Sequence, residues 1–256
     1  MILVLGGTAE SRETAAALVN AGFKVLVSVA TEYGRKALAI DENIEIVAKP
    51  SNLADLAELI RSRDIAAVVD CTHPFAVEVS RNAIQACHLA GVSYVRLERP
   101  TLDLSRYQGV VRVPDFAAAA RLVSTLEGTV MLTIGVKYIP LFVQNRRGST
   151  PRLVARLLPH PESVSRCLAM GFALDDIVAA KGPFSVDFNR ALFAEYGVTA
   201  IVTKESGFIG GTEAKLKAAS QLGIKSILIE RPRLEYPVVT HTVQSVIRHL
   251  RANGAV

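Results

Sequence analysis

Short runs of Val, Ile and Leu alternate with segments of helical period along the whole chain, the layout of strand–helix–strand units around a parallel sheet. The pattern predicts strands over 2–5, 24–29, 44–47, 66–70 and 94–96 in the first half, with helices over 10–20, 53–61 and 77–90. Gly22 and Gly91 follow the first and third of these helices as stop signals. A second series begins near Pro114, with a helix over 115–126 and a strand over 129–134. Further strands are expected over 153–157, 177–180, 200–203 and 226–229, and further helices over 162–170, 188–196, 213–221 and 242–251. The expected fold is α/β: two Rossmann-like domains, 1–113 and 114–256, each a mostly parallel sheet flanked by helices, with a cleft between them. The final helix could instead pack back against the first domain. No low-complexity linker separates the halves, and no sequence repeat relates them beyond this shared layout.

Composition narrows the function class. Half of the residues are hydrophobic and 21% are charged, as in a chain with a packed core. The start, Met1-Ile2-Leu3-Val4-Leu5 turning at Gly6-Gly7, lacks the layout of a secretory signal. No apolar stretch reaches the roughly 18–20 residues needed to span a bilayer. A cytoplasmic protein with no membrane partner is therefore expected. Cys71, Cys87 and Cys167 are too few and too scattered for a disulfide framework, so reduced thiols are expected. Cys87 and His88 are adjacent on a helical segment and point apart, which argues for packing rather than metal binding. The net charge of +5 is spread along the chain. It suits a small anionic ligand, whereas nucleic-acid binding calls for a basic stripe interleaved with aromatics, which is not seen.

In open parallel sheets, ligands sit at the carboxyl ends of strands, so the residues just after each strand are informative. After the first strand comes Gly6-Gly7-Thr8-Ala9-Glu10-Ser11-Arg12, a glycine turn into a helix that departs from G-x-G-x-x-G. After the fourth comes Asp70-Cys71-Thr72-His73-Pro74-Phe75-Ala76, with Pro74 placed to start a helix. The second half offers Thr133-Ile134-Gly135-Val136-Lys137, then Thr203-Lys204-Glu205-Ser206-Gly207 with Gly210-Gly211-Thr212 behind it. Glycine can serve turn dihedrals and Ser or Thr can cap helices without any ligand. Four such strand ends, two from each half, point to a ligand cleft between domains.

Together, ILVLGGTAESR, DCTHPFA, VRLERP, TIGVKYI, ARLLP, KGPFS, TKESGFIGG with EAKLKAA, and the late ILIERP resemble the precorrin-6A reductase family over nearly the whole chain. VSVATEYGRKAL with the KGPFS and TKESG loops is closer to the branch acting on the cobalt-containing precursor. The resemblance implies two α/β domains, a nicotinamide cofactor (NADH or NADPH), and hydride delivery to a carbon–carbon double bond of a corrin-ring precursor in cobalamin biosynthesis. It implies a small polycarboxylate tetrapyrrole as partner, and no protein metal site, since cobalt would arrive already chelated. Cofactor contacts are expected from Gly6, Gly7, Thr8, Thr133, Gly135, Lys137, Lys204, Glu205, Ser206 and Gly207. Substrate contacts are expected from Ser11, Arg12, Arg35, Thr72, His73, Pro74, Phe75 and Ser185. His73 is the candidate catalytic residue, expected to position rather than to be indispensable, because hydride transfer needs oriented reactants more than a nucleophile.

Two rivals share the glycine turn. A short-chain dehydrogenase or epimerase usually needs Tyr-x-x-x-Lys, and Tyr33 precedes Lys36 by three residues instead of four. A non-catalytic dinucleotide sensor would bind without turnover. Glu32 favours a ribose hydroxyl, while Ser28, Thr31, Arg35 or Lys204 would accept a 2′-phosphate, so NADH and NADPH both stay open, as does the oligomeric state.

Overall fold

The computed structural model describes residues 1–29, 44–48, 52–146, 148, 150–207 and 210–254. The chain forms two compact units: Met1–Pro100 with Arg233–Val256, and Thr101–Pro232. In chain order the first unit opens with β1 (Ile2–Leu5), α1 (Ala9–Asn20), β2 (Val25–Val29), β3 (Ile44–Ala48), α2 (Leu53–Ser62), β4 (Ala67–Asp70), α3 (Val77–Ala90) and β5 (Ser93–Leu97). The second holds β6 (Val110–Val113), α4 (Phe116–Val123), β7 (Thr129–Leu132), α5 (Ile139–Asn145), β8 (Arg152–Leu157), α6 (Pro161–Ala169), β9 (Ile177–Ala179), α7 (Val186–Glu195), β10 (Val198–Lys204), α8 (Thr212–Gln221) and β11 (Lys225–Ile229). The chain then returns to the first unit with β12 (Val239–Thr240) and α9 (Val243–Ala252).

Each unit is built on a six-stranded sheet, ordered β12-β5-β4-β1-β2-β3 in the first and β6-β11-β10-β7-β8-β9 in the second. All the strand pairings are parallel. Every residue of β1, β4 and β7 is buried, which explains why these strands read as apolar runs, interrupted at an end by Asp70 in β4 and Thr129 in β7: helices cover both faces of the sheet. Side-chain alternation splits β1 between two cores. Ile2 and Val4 pack with Ala15 and Leu18 of α1 and with Val246 and Leu250 of α9. Leu3 and Leu5 pack with Leu56 and Leu59 of α2 and with Ala83 and Ala86 of α3. In the second unit, Met131, Val154 and Ile201 are covered by Phe193 of α7 and by Ala218 and Ala219 of α8. No described helix is long and apolar enough to cross a membrane.

The division differs from the single boundary expected at residue 113. The chain crosses between units at Pro100 and again at Pro232. The physical reason is strand pairing: β6 aligns Val110 with Ser226 of β11, and β12 aligns Val239 with Arg96 of β5. Each sheet thus takes its sixth strand from the segment that comes after the fifth strand of the other unit. A short sequence repeat also relates the halves, contrary to the expectation of none. Both fifth strands run into Glu-Arg-Pro, as Glu98-Arg99-Pro100 and Glu230-Arg231-Pro232. The hydrophobic pattern does not reveal β6, whose central residues are exposed, the two-residue β12, or α5, which is seven residues long.

Candidate active site

Strand order reverses between β1 and β4 in the first sheet and between β7 and β10 in the second. At such a switch point the helices after the two strands leave in opposite directions and open a crevice at the strands' carboxyl ends. The four loops singled out by sequence come directly after these four strands.

In the first unit, Thr8 is the N-cap of α1, and its Oγ1 accepts the Ser11 amide at 3.2 Å while donating to Cys71 O at 3.0 Å. This second bond ties the β1 loop to the β4 loop. Ser11 is fully buried, and its Oγ accepts the Gly7 and Thr8 amides, each at 3.2 Å. Ser11 therefore shapes the turn from beneath rather than facing a ligand. Gly7 sits at φ +105, and a Cβ there would meet no atom of the described residues within 4 Å. Gly6 is glycine for packing, because a Cβ would lie 2.9 Å from Val27 Cγ1.

The end of β4 carries a buried charge network that sequence motifs alone do not single out. Asp70 Oδ1 accepts from Arg96 Nη1 at 2.8 Å and from the Thr72 amide at 2.9 Å. Its Oδ2 accepts from Ser80 Oγ at 2.6 Å and Tyr94 Oη at 2.7 Å. Arg96 also donates to Thr72 Oγ1 at 3.1 Å and to Glu98 Oε2 at 3.1 Å, and lies 5.3 Å from the centre of the Tyr236 ring. Burial pushes the Asp70 carboxyl up, but the guanidinium and the Ser80, Tyr94 and Thr72 donors hold it below the usual carboxylate range. The same burial, with the carboxylate beside it, pushes the Tyr94 hydroxyl far up. The ion pair thus fixes Thr72 and the start of the His73 loop. His73 Nδ1 accepts the Phe75 amide at 3.1 Å, so Nε2 carries the proton of the neutral ring. Pro74 is buried, Phe75 half-buried, and Arg12 exposed near the start of α1. Arg35, with Thr31, Glu32, Tyr33 and Lys36, lies outside the described residues.

In the second unit, Thr133 N and Oγ1 both donate to Val202 O, at 2.9 and 2.8 Å, joining the β7 and β10 ends as Thr8 joins β1 and β4. Gly135 and Lys137 are exposed, and Lys137 Nζ lies 4.8 Å from the centre of the Tyr138 ring. Glu205 repeats the theme of Asp70: it is buried, pairs with Arg231, and accepts the Gly207 amide at 3.2 Å. Thr212 Oγ1 accepts the Ser206 amide at 3.2 Å and donates to Lys204 O at 2.8 Å. Gly210 must lack a side chain, since a Cβ would come 2.4 Å from Ser206 Cβ.

Ser185 caps α7, its Oγ accepting the Phe188 amide at 3.1 Å. Its loop meets the β10 loop, where Pro183 lies 3.5 Å from the Cβ position of Gly211. Beside it Arg156 of β8 is buried, donates to Asn189 Oδ1 at 2.7 Å, and stacks 5.0 Å from the Phe184 ring. Lys215 of α8 is also buried. KGPFS, ARLLP and EAKLKAA, far apart in sequence, therefore converge. The signal available for Asp70, Arg96, Arg156 and Lys215 was a charged residue placed inside an otherwise apolar strand or helix face.

Residues 1–251 match the family model described as "Precorrin-6x reductase CbiJ/CobK". The chain belongs to this family. A cobalt-precorrin-6A reductase of Priestia megaterium is 36% identical over 98% of both chains, and a precorrin-6A reductase of Rhodococcus erythropolis is 34% identical over 96% of this chain and 94% of that one. A solved CobK precorrin-6A reductase superposes with a TM-score of 0.82 at 32% identity, covering 100% of this chain and 98% of the other. The two-sheet α/β architecture is thus that of a solved family member.

Proposed function

We propose that the chain reduces a double bond of a corrin-ring precursor, precorrin-6A or its cobalt-loaded form, with NADH or NADPH as reductant. The observation that carries this reading is the placement of the family's recognisable loops at the switch points of two parallel sheets, where nucleotide ligands of such sheets bind. A nicotinamide cofactor fits the residues there. Among the described residues a Cβ on Gly7 or on Gly135 would meet no atom within 4 Å, which fits a ligand lying against the backbone, and Lys137 is exposed close to the second of these glycines. When bound, the cofactor supplies a hydride to one carbon of the double bond, and a proton completes the neighbouring carbon.

The chain's own contribution is orientation. The Asp70–Arg96 pair fixes Thr72, Thr8 ties the β1 turn to the β4 loop, and the Phe75 amide orients the His73 ring through Nδ1. None of these side chains needs to act as a nucleophile, because holding the reacting carbons in line supplies most of the advantage. Anaerobic incubation with metal-free and cobalt-loaded precorrin-6A, each with NADH and NADPH, tests the proposal. Substrate-dependent loss of reduced-cofactor absorbance in at least one pairing is expected. Cofactor binding without oxidation in all four would instead favour a dinucleotide sensor.

A further inference from the structure

The two units differ in how their buried and half-buried cations are matched. In the first, Arg96 pairs with Asp70 and Glu98, and Arg99 with Glu10; in the second, Arg231 pairs with Glu205. Arg156 and Lys215 break this rule. Arg156 is 9% exposed and Lys215 8% exposed, and among the described residues neither has a carboxylate partner. Among the described residues Arg156 has one acceptor, the neutral Asn189 amide oxygen, and Lys215 has none. The groups that act on Lys215 are themselves cationic, Arg156 on β8 and Lys204 on β10. An unmatched buried cation costs several kcal/mol, so proteins rarely keep one that nothing answers.

The surroundings are those of a site rather than a packing defect. Lys215 shares the buried side of α8 with Thr212, Leu216 and Ala219, where an apolar residue would complete the core. Arg156 is next to last on β8, held over the Phe184 ring and by Asn189 in the first turn of α7. Both cations sit by the loops at the carboxyl end of the second sheet, where ligands of parallel sheets bind.

We infer that Arg156 and Lys215 form a preformed oxyanion subsite that takes one phosphate or carboxylate group of a ligand. This rests on the proposed function only for the source of the anion, a cofactor phosphate or a carboxylate of the tetrapyrrole. Burial and the two neighbouring cations push the Lys215 ammonium down to about 7, and an incoming anion would restore its charge.

The test uses the full chain and two readouts. Inorganic phosphate, exchanged for chloride at matched ionic strength, should raise the unfolding midpoint of the wild type. It should do the same for Lys215→Arg and for Lys217→Met, an exposed control on the same helix. Lys215→Met should lose this response and be at least as stable as wild type in chloride. In turnover, Lys215→Met should raise one KM about tenfold, the loss of roughly one charge-assisted hydrogen bond. A rise for the cofactor identifies a phosphate, and a rise for the tetrapyrrole identifies a carboxylate. An unchanged phosphate response in Lys215→Met overturns the inference, as do two unchanged KM values. So does a Lys215→Met chain that is less stable than wild type in chloride, because that lysine would be structural. The phosphate readout needs no turnover, so failure of the reductase reading leaves it standing.

Discussion

Replacing Arg96 with methionine should destabilise the first unit by about 3 kcal/mol near neutral pH. The guanidinium donates to Asp70, Thr72 and Glu98 at 2.8, 3.1 and 3.1 Å, the first two bonds buried and the third partly buried. Hydrogen bonds to charged groups contribute about 1.5–3 kcal/mol each, and removing one partner of a buried pair costs about 3–5 kcal/mol net. Asp70 would keep the Thr72 amide, Ser80 and Tyr94 as donors, which holds the loss near the lower end of that range. The sign with pH is set by the carboxyl. With Arg96 present, Asp70 titrates below the usual carboxylate range; without it, the strongest of the opposing charges is gone and burial moves the carboxyl upward from that lowered position. The variant's deficit should therefore be greatest near neutral pH and shrink as the solution turns acid and the buried carboxyl takes up its proton. Urea unfolding monitored by tyrosine emission suits the assay, because the chain has no Trp and Tyr94 stacks with Tyr236 at 6.5 Å beside the ion pair. Asp70→Asn combined with Arg96→Met should lose less than the two single losses added together. A loss below about 1 kcal/mol for Arg96→Met, or strict additivity in the double variant, would refute the reasoning.

Three further outcomes are expected. His73→Asn keeps a hydrogen-bonding group and should lose about tenfold in kcat/KM, whereas a loss above about a thousandfold with both affinities intact would make His73 the general acid. Gly6→Ala drives a methyl to 2.9 Å from Val27 Cγ1 and should cost about 1–3 kcal/mol in the same urea assay; an unchanged midpoint would show that β2 yields freely. Lys215 has its folded value lowered to about 7 from an ordinary value of 10.5, so the unfolded chain binds more protons between them. Wild-type stability relative to Lys215→Met should then rise with pH across that window, by up to about 1.4 kcal/mol per pH unit, and a flat difference would show that Lys215 is not buried as a cation.

Most of the local structure is legible in the sequence because the central strands are buried on both faces and their helices are bounded by clear signals. The helix expected over 77–90 coincides with α3, and Gly91 closes it at φ +68. The switch-point loops are legible for the same reason, since a polar, glycine-bearing stretch stands out at the end of an apolar strand. Sheet membership is not. Nothing in Val110-Val111-Arg112-Val113 or Val239-Thr240 says that each joins a strand far away in the chain, because parallel pairing is made by backbone groups common to all residues. The roles of charged residues are equally hidden. Asp70 and Arg96 are 26 positions apart, and Arg156 and Lys215 still further, so the sequence shows their types but not their partners. Whether a buried charge is answered by an opposite charge or left waiting for a ligand depends on which strand ends the fold brings together. Tertiary structure alone decides that.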